Sequence, residues 1–199
     1  MPQPRVVVFD LETTAMVDFS FMQSAKISVA VAKLAHSDAY IDAVLVGDPE
    51  AHRGLLEPFG AFLDSADYVI AHNGHIFDLR VLPNYFPPER VAAWKAKLID
   101  PKAKFINVAR GAGGGTRTSL NDMLVANGMT PKTGDGRKAV NDWRAGRHTD
   151  VLEYCRSDVD LLCGLWEKRH VRMMRKDGTL NPNVFDLHAY MAPEHRDYC

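Results

Sequence analysis

The feature that most constrains this chain is a short apolar segment that ends in two carboxylates. Residues 5–10 read RVVVFD, and Glu12 follows Asp10 at a distance of two residues. A continuous β-branched run of this length is typical of a strand that is buried on both faces of a sheet. In an extended backbone Asp10 and Glu12 point to the same face, and two buried carboxylates repel each other unless a cation lies between them. The segment therefore predicts a central strand with a cation site at its end.

The segments that follow predict a mixed sheet. Residues 26–35 and 39–46 are β-rich and are separated by a short turn, so both should form antiparallel partners of the first strand. Apolar residues recur at helical spacing between 55 and 63, and residues 67–72 (DYVIAH) predict a fourth strand. Three strands, a helix, a strand and then helices is the order of an α/β domain with helices packed on the sheet.

The second half of the chain is predicted to be mainly helical. Helices are expected to begin at Phe77 and to cover 89–98, and Ser119 should cap another. Residues 130–138 (TPKTGDGRK) predict a basic loop. Residues 149–176 predict one long helix that starts with a Thr cap and stops at an Asp-Gly pair.

Composition predicts one globular domain and no membrane segment. The chain is 46% hydrophobic and 25% charged, and no stretch approaches the roughly 20 apolar residues that span a bilayer. Three cysteines without a CxxC pair favour an intracellular, cytoplasmic protein with reduced thiols. No linker divides the chain, so we expect a single domain over 1–199, with a core of about 5–176 and a tail of 177–199.

Charge is distributed unevenly along the chain. Residues 1–101 carry 8 Lys and Arg against 13 Asp and Glu, whereas residues 102–176 carry 15 against 8. A basic region beside an acidic one suits a protein that holds an anionic polymer against a carboxylate-rich metal site, although a solvated surface is an equal alternative. The candidates for phosphate contacts are Arg110, Arg117, Lys132, Arg137, Lys138, Arg144 and Arg147.

Two further carboxylates could join the pair on the first strand. Asp78 follows the fourth strand and begins a helix, while Asp158 lies one helical turn after Tyr154, so the last two share a face. Each has a simpler explanation when taken alone, as an acid at a helix start or as part of a polar helix face. Together, four hard oxygen ligands suit two Mg²⁺ or Mn²⁺ ions in phosphoryl transfer and do not suit zinc. Tyr154 could then hydrogen-bond the attacking water.

Three segments together resemble the motifs of the DEDD, or DnaQ-like, superfamily of 3′→5′ exonucleases. Residues 9–14 (FDLETT) resemble the first motif and residues 72–78 (HNGHIFD) the second. Residues 154–158 (YCRSD) have the Tyr-x₃-Asp spacing of the tyrosine subclass, and Glu153 stands where the histidine subclass would place its His. The resemblance covers about residues 5–170 and is closest to the proofreading domains of phage family-A DNA polymerases and their stand-alone relatives.

The resemblance implies a ribonuclease H-like α/β fold and a role for each motif residue. Asp10 would bridge two Mg²⁺ or Mn²⁺ ions, and Asp78 would serve the second ion. Glu12 and Asp158 would complete the site of the ion that activates water. Tyr154 would orient the nucleophile.

The resemblance also implies contacts with the substrate. Leu11, Thr13 and Thr14 would contact the terminal nucleotide. Asn73 would hydrogen-bond near the scissile end. The neighbouring His72, within the second motif, is better explained by packing and hydrogen bonding than by zinc binding.

The implied function is hydrolysis of single-stranded or frayed DNA from its 3′ end, releasing nucleoside 5′-monophosphates. The partner would be single-stranded nucleic acid, with DNA favoured over RNA, and proofreading for a separate replicative DNA polymerase is a compatible role. Two alternatives stay open: the same chemistry on RNA, and a non-catalytic module that binds nucleic acid.

Overall fold

A five-stranded mixed sheet forms the centre of the computed structural model, which describes residues 3–103, 116–132 and 134–191. The strands are β1 (Val6–Thr13), β2 (Ile27–Leu34), β3 (Tyr40–Val44), β4 (Tyr68–Ile70) and β5 (Leu98–Ile99). Their order is β3-β2-β1-β4-β5, with β1 antiparallel to β2 and parallel to β4. The prediction of two antiparallel partners for β1 is therefore half right, because β3 pairs with β2 instead.

β1 is buried on both faces, as its apolar sequence predicts. Val8 is fully buried in one core cluster, whereas Val7 and Phe9 are fully buried in a second cluster on the other face. The alternation follows from the period of two along a strand. It also directs the side chains of Asp10 and Glu12 to the same face as Val8.

Helices cover both faces of the sheet. They are α1 (His52–Asp64), α2 (Asp78–Val81), α3 (Pro88–Ala96), α4 (Leu120–Ala126), α5 (Gly136–Arg144) and α6 (His148–Glu167). Buried residues of α1, α2 and α3 belong to the cluster around Phe9, and those of α4, α5 and α6 to the cluster around Val8. Among the described residues, no helix has both the length and the apolar character needed to cross a membrane.

Short elements complete the described chain. The 3-10 helices are Phe19–Ser24, Pro49–Ala51, Leu82–Asn84 and Leu187–Met191. Two small two-stranded sheets pair β6 (Thr116–Arg117) with β8 (Met174–Arg175) and β7 (His170–Val171) with β9 (Phe185–Asp186).

The prediction of one helix over 149–176 is wrong at both ends. α6 begins at His148 and carries no side-chain cap, so Thr149 is not its N-cap. It ends at Glu167, and Arg169 adopts a left-handed backbone with φ 57°. Beyond that point the chain pairs as β7 and β8, because long-range strand partners take the backbone hydrogen bonds that a longer helix would have used.

The prediction of a loop over 130–138 is wrong at its end. α5 begins at Gly136, because the Asp135 carboxylate accepts hydrogen bonds from the backbone N–H groups of Arg137 and Lys138 and caps the helix. The predicted Ser119 cap of α4 is confirmed, since its hydroxyl accepts a hydrogen bond from the Asp122 N–H at 3.1 Å.

Candidate active site

The end of β1 and the middle of α6 bring three carboxylates together. α6 packs across the face of β1 that carries Val8, and it therefore faces Asp10 and Glu12. Asp10, Glu12 and Asp158 each offer a carboxylate oxygen within 4.8 Å of the other two. Glu12 is 9% and Asp158 7% exposed, so this cluster is largely shielded from water.

Asp78 lies next to this cluster at the first residue of α2. It is 1% exposed and is not one of the three residues that share the 4.8 Å separation. Burial first, and then the charge of Asp10, raises the pKa of Asp78 well above its ordinary value. The parallel pairing of β1 with β4 explains the approach, because the carboxyl ends of both strands meet at one edge of the sheet.

The carboxylates of the cluster have too little positive charge around them. Burial, followed by the charge of Asp158, raises the pKa of Asp10 from 3.8 to about 7, and Lys132 acts in the opposite direction. Burial, followed by Asp10 and Asp158, raises the pKa of Glu12 well above its ordinary value. The site thus concentrates negative charge that Lys132, which pairs with Asp158, neutralises only in part.

Two carboxylate oxygens of the site also lack hydrogen-bond partners. Oδ1 of Asp78 and Oδ1 of Asp158 are buried and unpartnered among the described residues. Buried polar atoms are nearly always partnered, so these atoms call for a ligand. An oxygen-only donor set with unpartnered oxygens and raised pKa values fits a hard divalent cation such as Mg²⁺ or Mn²⁺.

A cleft of about 550 Å³ opens above the carboxylates. Its lining includes Leu11, Asn73 and Tyr154, three residues that the motifs single out. Burial, then the charges of Asp158 and Glu12, raises the pKa of Tyr154, so its hydroxyl stays protonated at neutral pH. A neutral phenol at this position can donate a hydrogen bond within the cleft.

Lys132 reaches into the cleft from the loop before α5. Its Nζ lies 2.6 Å from Asp158 Oδ2 and 5.0 Å from the centre of the Tyr154 ring. The backbone of the same loop approaches this ring at Gly134, where an added Cβ would lie 3.1 Å from Tyr154 Cε2. The loop thus forms one wall of the cleft and holds one face of Tyr154.

The remaining predicted substrate contacts lie outside the cleft lining. Thr13 is 5% exposed and its hydroxyl donates to the Ala15 carbonyl. Thr14 donates its backbone N–H to the Lys26 carbonyl. Both residues follow the cluster directly in sequence.

The basic candidates occupy different places. Arg117 lies on β6 and Lys138 pairs with Asp142 on α5; neither lines the cleft. Arg147 also pairs with Asp142. Arg137 and Arg144 are exposed on α5, and Arg110 lies outside the described residues.

The structure adds residues that the motifs did not indicate. Asp100, at the end of β5, accepts hydrogen bonds from the backbone N–H groups of Asn73 and His75. These bonds hold the turn in which Asn73 adopts a φ of 69°. No sequence motif indicated this role, because it depends on the tertiary contact between the end of β5 and the turn at Asn73.

His72 and Lys102 also line the cleft. Burial, then the charge of Lys102, lowers the pKa of His72 to about 3, so the imidazole is neutral. Its Nδ1 is buried and has no partner among the described residues. Cys155 lies behind the cluster with Sγ 3.5 Å from the Asp10 carboxylate.

The sheet order, the helices on both faces and the carboxylate-lined edge define an α/β protein of the ribonuclease H-like fold, as the sequence predicts. A family B DNA polymerase from the hyperthermophilic archaeon Pyrobaculum calidifontis is similar to 84% of this chain, with a TM-score of 0.59 and 16% identity. E. coli Exonuclease I in complex with a 5cy-dT13 oligonucleotide is similar to 75% of it, with a TM-score of 0.46 and 13% identity.

These similarities cover only part of each solved structure. The match spans 24% of the polymerase chain and 42% of the exonuclease chain. No protein-family model matches the sequence, and a search of curated proteins finds no match.

Proposed function

We propose that this chain is a metal-dependent 3′→5′ exonuclease of the DEDD superfamily, in its tyrosine subclass. It would hydrolyse single-stranded or frayed DNA from the 3′ end and release nucleoside 5′-monophosphates. The observation that carries the proposal is the gathering of Asp10, Glu12 and Asp158 within 4.8 Å beside Tyr154 in an open cleft. The similarity of the fold to part of a DNA polymerase is in keeping with a DNA substrate.

The carboxylates are the proposed cation ligands. Asp10 and Glu12 on β1 and Asp158 on α6 would hold the cations, and Asp78 would complete the set. When bound, two divalent cations would stabilise negative charge on the attacking and leaving oxygens of the phosphodiester. The unpartnered oxygens of Asp78 and Asp158 support this assignment.

Tyr154 and Lys132 would position the reacting groups. The Tyr154 hydroxyl, which stays protonated, would hydrogen-bond the attacking water and aim it at phosphorus. In the structure Lys132 pairs with Asp158. With a cation bound at Asp158, the Lys132 ammonium would be available to pair with a phosphate of the substrate. Leu11 and Asn73, on the lining of the cleft, would contact the terminal nucleotide.

An unpaired terminus suits this site, because a buried carboxylate cluster at the base of a cleft is reached more easily by a single strand than by a duplex. Contacts with the backbone and stacking would dominate binding, so base preference should be weak. Removal of mismatched 3′ ends for a separate polymerase is a role compatible with this chemistry.

The test uses a 5′-labelled single-stranded DNA and its RNA counterpart, each incubated with Mg²⁺, Mn²⁺ or EDTA. We expect a ladder that shortens from the 3′ end with either metal, faster for DNA, and no product in EDTA. A faster reaction on RNA would mean that the preferred substrate is RNA and that the proposed chemistry still holds. No product with either metal would favour the non-catalytic binding module, and internal cuts would contradict the polarity.

A further inference from the structure

The small sheet formed by β6 and β8 adjoins the mouth of the cleft. Thr116 pairs with Arg175 and Arg117 with Met174, and the chain then passes from Arg117 to Ser119, which lines the cleft. Between them, the Thr118 backbone is hydrogen-bonded to His72, which also lines the cleft. With about 3.3 Å per residue along a strand and about 5 Å between strands, Arg175 lies roughly 10–15 Å from the lip at Ser119.

This sheet and the turn after it carry an exposed group of cations, which we call the basic ribbon. Its members are Arg117, Arg172, Arg175 and Lys176. Arg172, Arg175 and Lys176 make no ion pair within the described part of the chain, and Arg117 pairs with Asp122 at a distance of 3.8 Å. Asp177, the other acid beside the ribbon, accepts hydrogen bonds from Thr179 and also interacts with the charge of Arg175 without forming an ion pair. Four cations against two acids leave the surface net positive.

Some other arginines of this protein are neutralised by nearby carboxylates, whereas Arg53, Arg80, Arg137 and Arg144 are exposed without an ion pair among the described residues. Arg90 is held by Glu57 and Asp64, and Arg169 by Asp186. The cations of the ribbon differ from Arg90 and Arg169, because most of them have no carboxylate partner. Because α6 ends at Glu167, Arg172, Arg175 and Lys176 lie beyond the helix, and its dipole does not explain their positive charge.

Hydrogen bonds hold the backbone of the ribbon in place. Asn127 binds both backbone groups of Arg172: its Oδ1 accepts from the N–H at 2.8 Å and its Nδ2 donates to the carbonyl at 2.9 Å. Arg117 Nη2 donates to the Lys176 carbonyl at 3.1 Å and joins the two strands at the turn. Cations carried on an ordered backbone lose less backbone entropy on binding a charged polymer than cations on a mobile segment do.

We propose that the basic ribbon binds the phosphodiester backbone of the substrate strand on the 5′ side of the terminal nucleotide held in the cleft. This inference rests on the proposed function, since it assumes that the 3′ end occupies the cleft. Unpaired cations at this distance would contact phosphates a few nucleotides from the scissile bond without reading bases. Long strands would therefore bind more tightly than oligomers that end inside the cleft.

The test measures binding in EDTA, where no turnover is needed, by fluorescence anisotropy of 5′-labelled oligodeoxythymidylates of about 20 and about 3 nucleotides. Arg175→Gln/Lys176→Gln removes two ribbon cations. For the long strand we expect affinity to fall about tenfold and the slope of log Kd against log salt to fall by about 1.4, since each phosphate contact of a single strand contributes about 0.7. The affinity for the short oligomer should not change.

The matched control is Arg53→Gln/Lys95→Gln, which removes one exposed Arg and one exposed Lys from α1 and α3 on the other face of the sheet. It should bind like the wild type. Unchanged affinity and slope in the ribbon variant, or equal losses for the long and short oligomers, would overturn the proposal. Should the double variant unfold, Lys176→Gln alone takes its place, with an expected slope change of about 0.7.

The result is separable from the proposed function. A ribbon effect on binding in a protein that cleaves nothing with Mg²⁺ or Mn²⁺ would support the ribbon and refute the exonuclease. Metal-dependent cleavage together with unchanged DNA binding by the ribbon variant would support the exonuclease and refute the ribbon.

Discussion

Asp10 shows most clearly how the environment of a single residue controls the chemistry of this site. Its carboxylate is buried beside Asp158, and its pKa of about 7 lies well above the ordinary 3.8. The pKa values of Glu12 and Asp78 are shifted in the same direction. A protein that keeps such a cluster sacrifices stability when no cation is bound, so the cluster is better explained by function than by folding.

The first prediction at this scale concerns pH. Between about pH 4 and pH 7 the folded protein keeps the Asp10 proton that the unfolded chain has lost, so the contribution of Asp10 to the free energy of unfolding of the metal-free protein should fall as pH rises through this range. Asp10→Asn cannot ionise and should be more stable than the wild type above pH 7, by on the order of 2 kcal/mol. Urea unfolding in EDTA at pH 5 and pH 8 measures both effects. Because the neutral His72, whose pKa is lowered to about 3, adds stability as pH rises over the same range, the difference between wild type and variant carries the test, and an equal pH dependence in the two would contradict this electrostatic account.

The second prediction separates positioning from cation binding. Tyr154→Phe should lower turnover by about tenfold to a hundredfold, because it removes a hydrogen bond to the nucleophile and no cation ligand. Tyr40→Phe is the matched control, since the Tyr40 hydroxyl donates to Asp160 outside the cleft. Steady-state rates on single-stranded DNA compare the two. Full activity in Tyr154→Phe, or equal losses in both variants, would argue against the assigned role.

At the scale of elements, periodicity predicted most of the fold but missed α5, a helix that begins at the edge of the cleft. The apolar runs located β1 and β2 well, because burial on a sheet leaves a strong sequence pattern. The sequence pattern did not predict α5, because residues 136–144 (GRKAVNDWR) carry few apolar side chains. One of its inward positions is the buried Asp142, which Lys138 and Arg147 neutralise. The end of α6 was missed because strand pairing with distant segments decides it.

The loop before α5 gives a prediction that belongs to this scale. In Gly134→Ala the added methyl would lie 3.1 Å from the Tyr154 ring and displace it, so turnover should fall about tenfold even though the shift is small. Gly54→Ala is the matched control, because nothing lies within 4 Å of its added Cβ and it lies on α1, outside the cleft lining. Rates and melting temperatures of the two variants would be compared. Equal activity in both would show that the loop does not position Tyr154.

At the scale of the whole molecule, the sheet order joins the separate motifs into one site. β1 and β4 are neighbours, so their carboxyl ends bring Asp10 and Asp78 close together. The short motifs predicted the acids of this site because each acid stands at a fixed place on its own strand or helix. Lys132 and the basic ribbon could not be located from sequence in the same way. Their positions depend on contacts between segments far apart in the chain.

The most direct test of the central claim follows a 5′-labelled DNA strand with Mg²⁺ in the wild type, Asp10→Asn and Asp158→Asn. Asp150→Asn, an exposed acid on the same helix as Asp158, is the control. We expect a 3′-shortening ladder for the wild type and the control, and a loss of roughly a thousandfold for both cluster variants with the fold intact. Cleavage by Asp10→Asn or Asp158→Asn at a rate near that of the wild type would contradict the claim that these carboxylates carry the reaction.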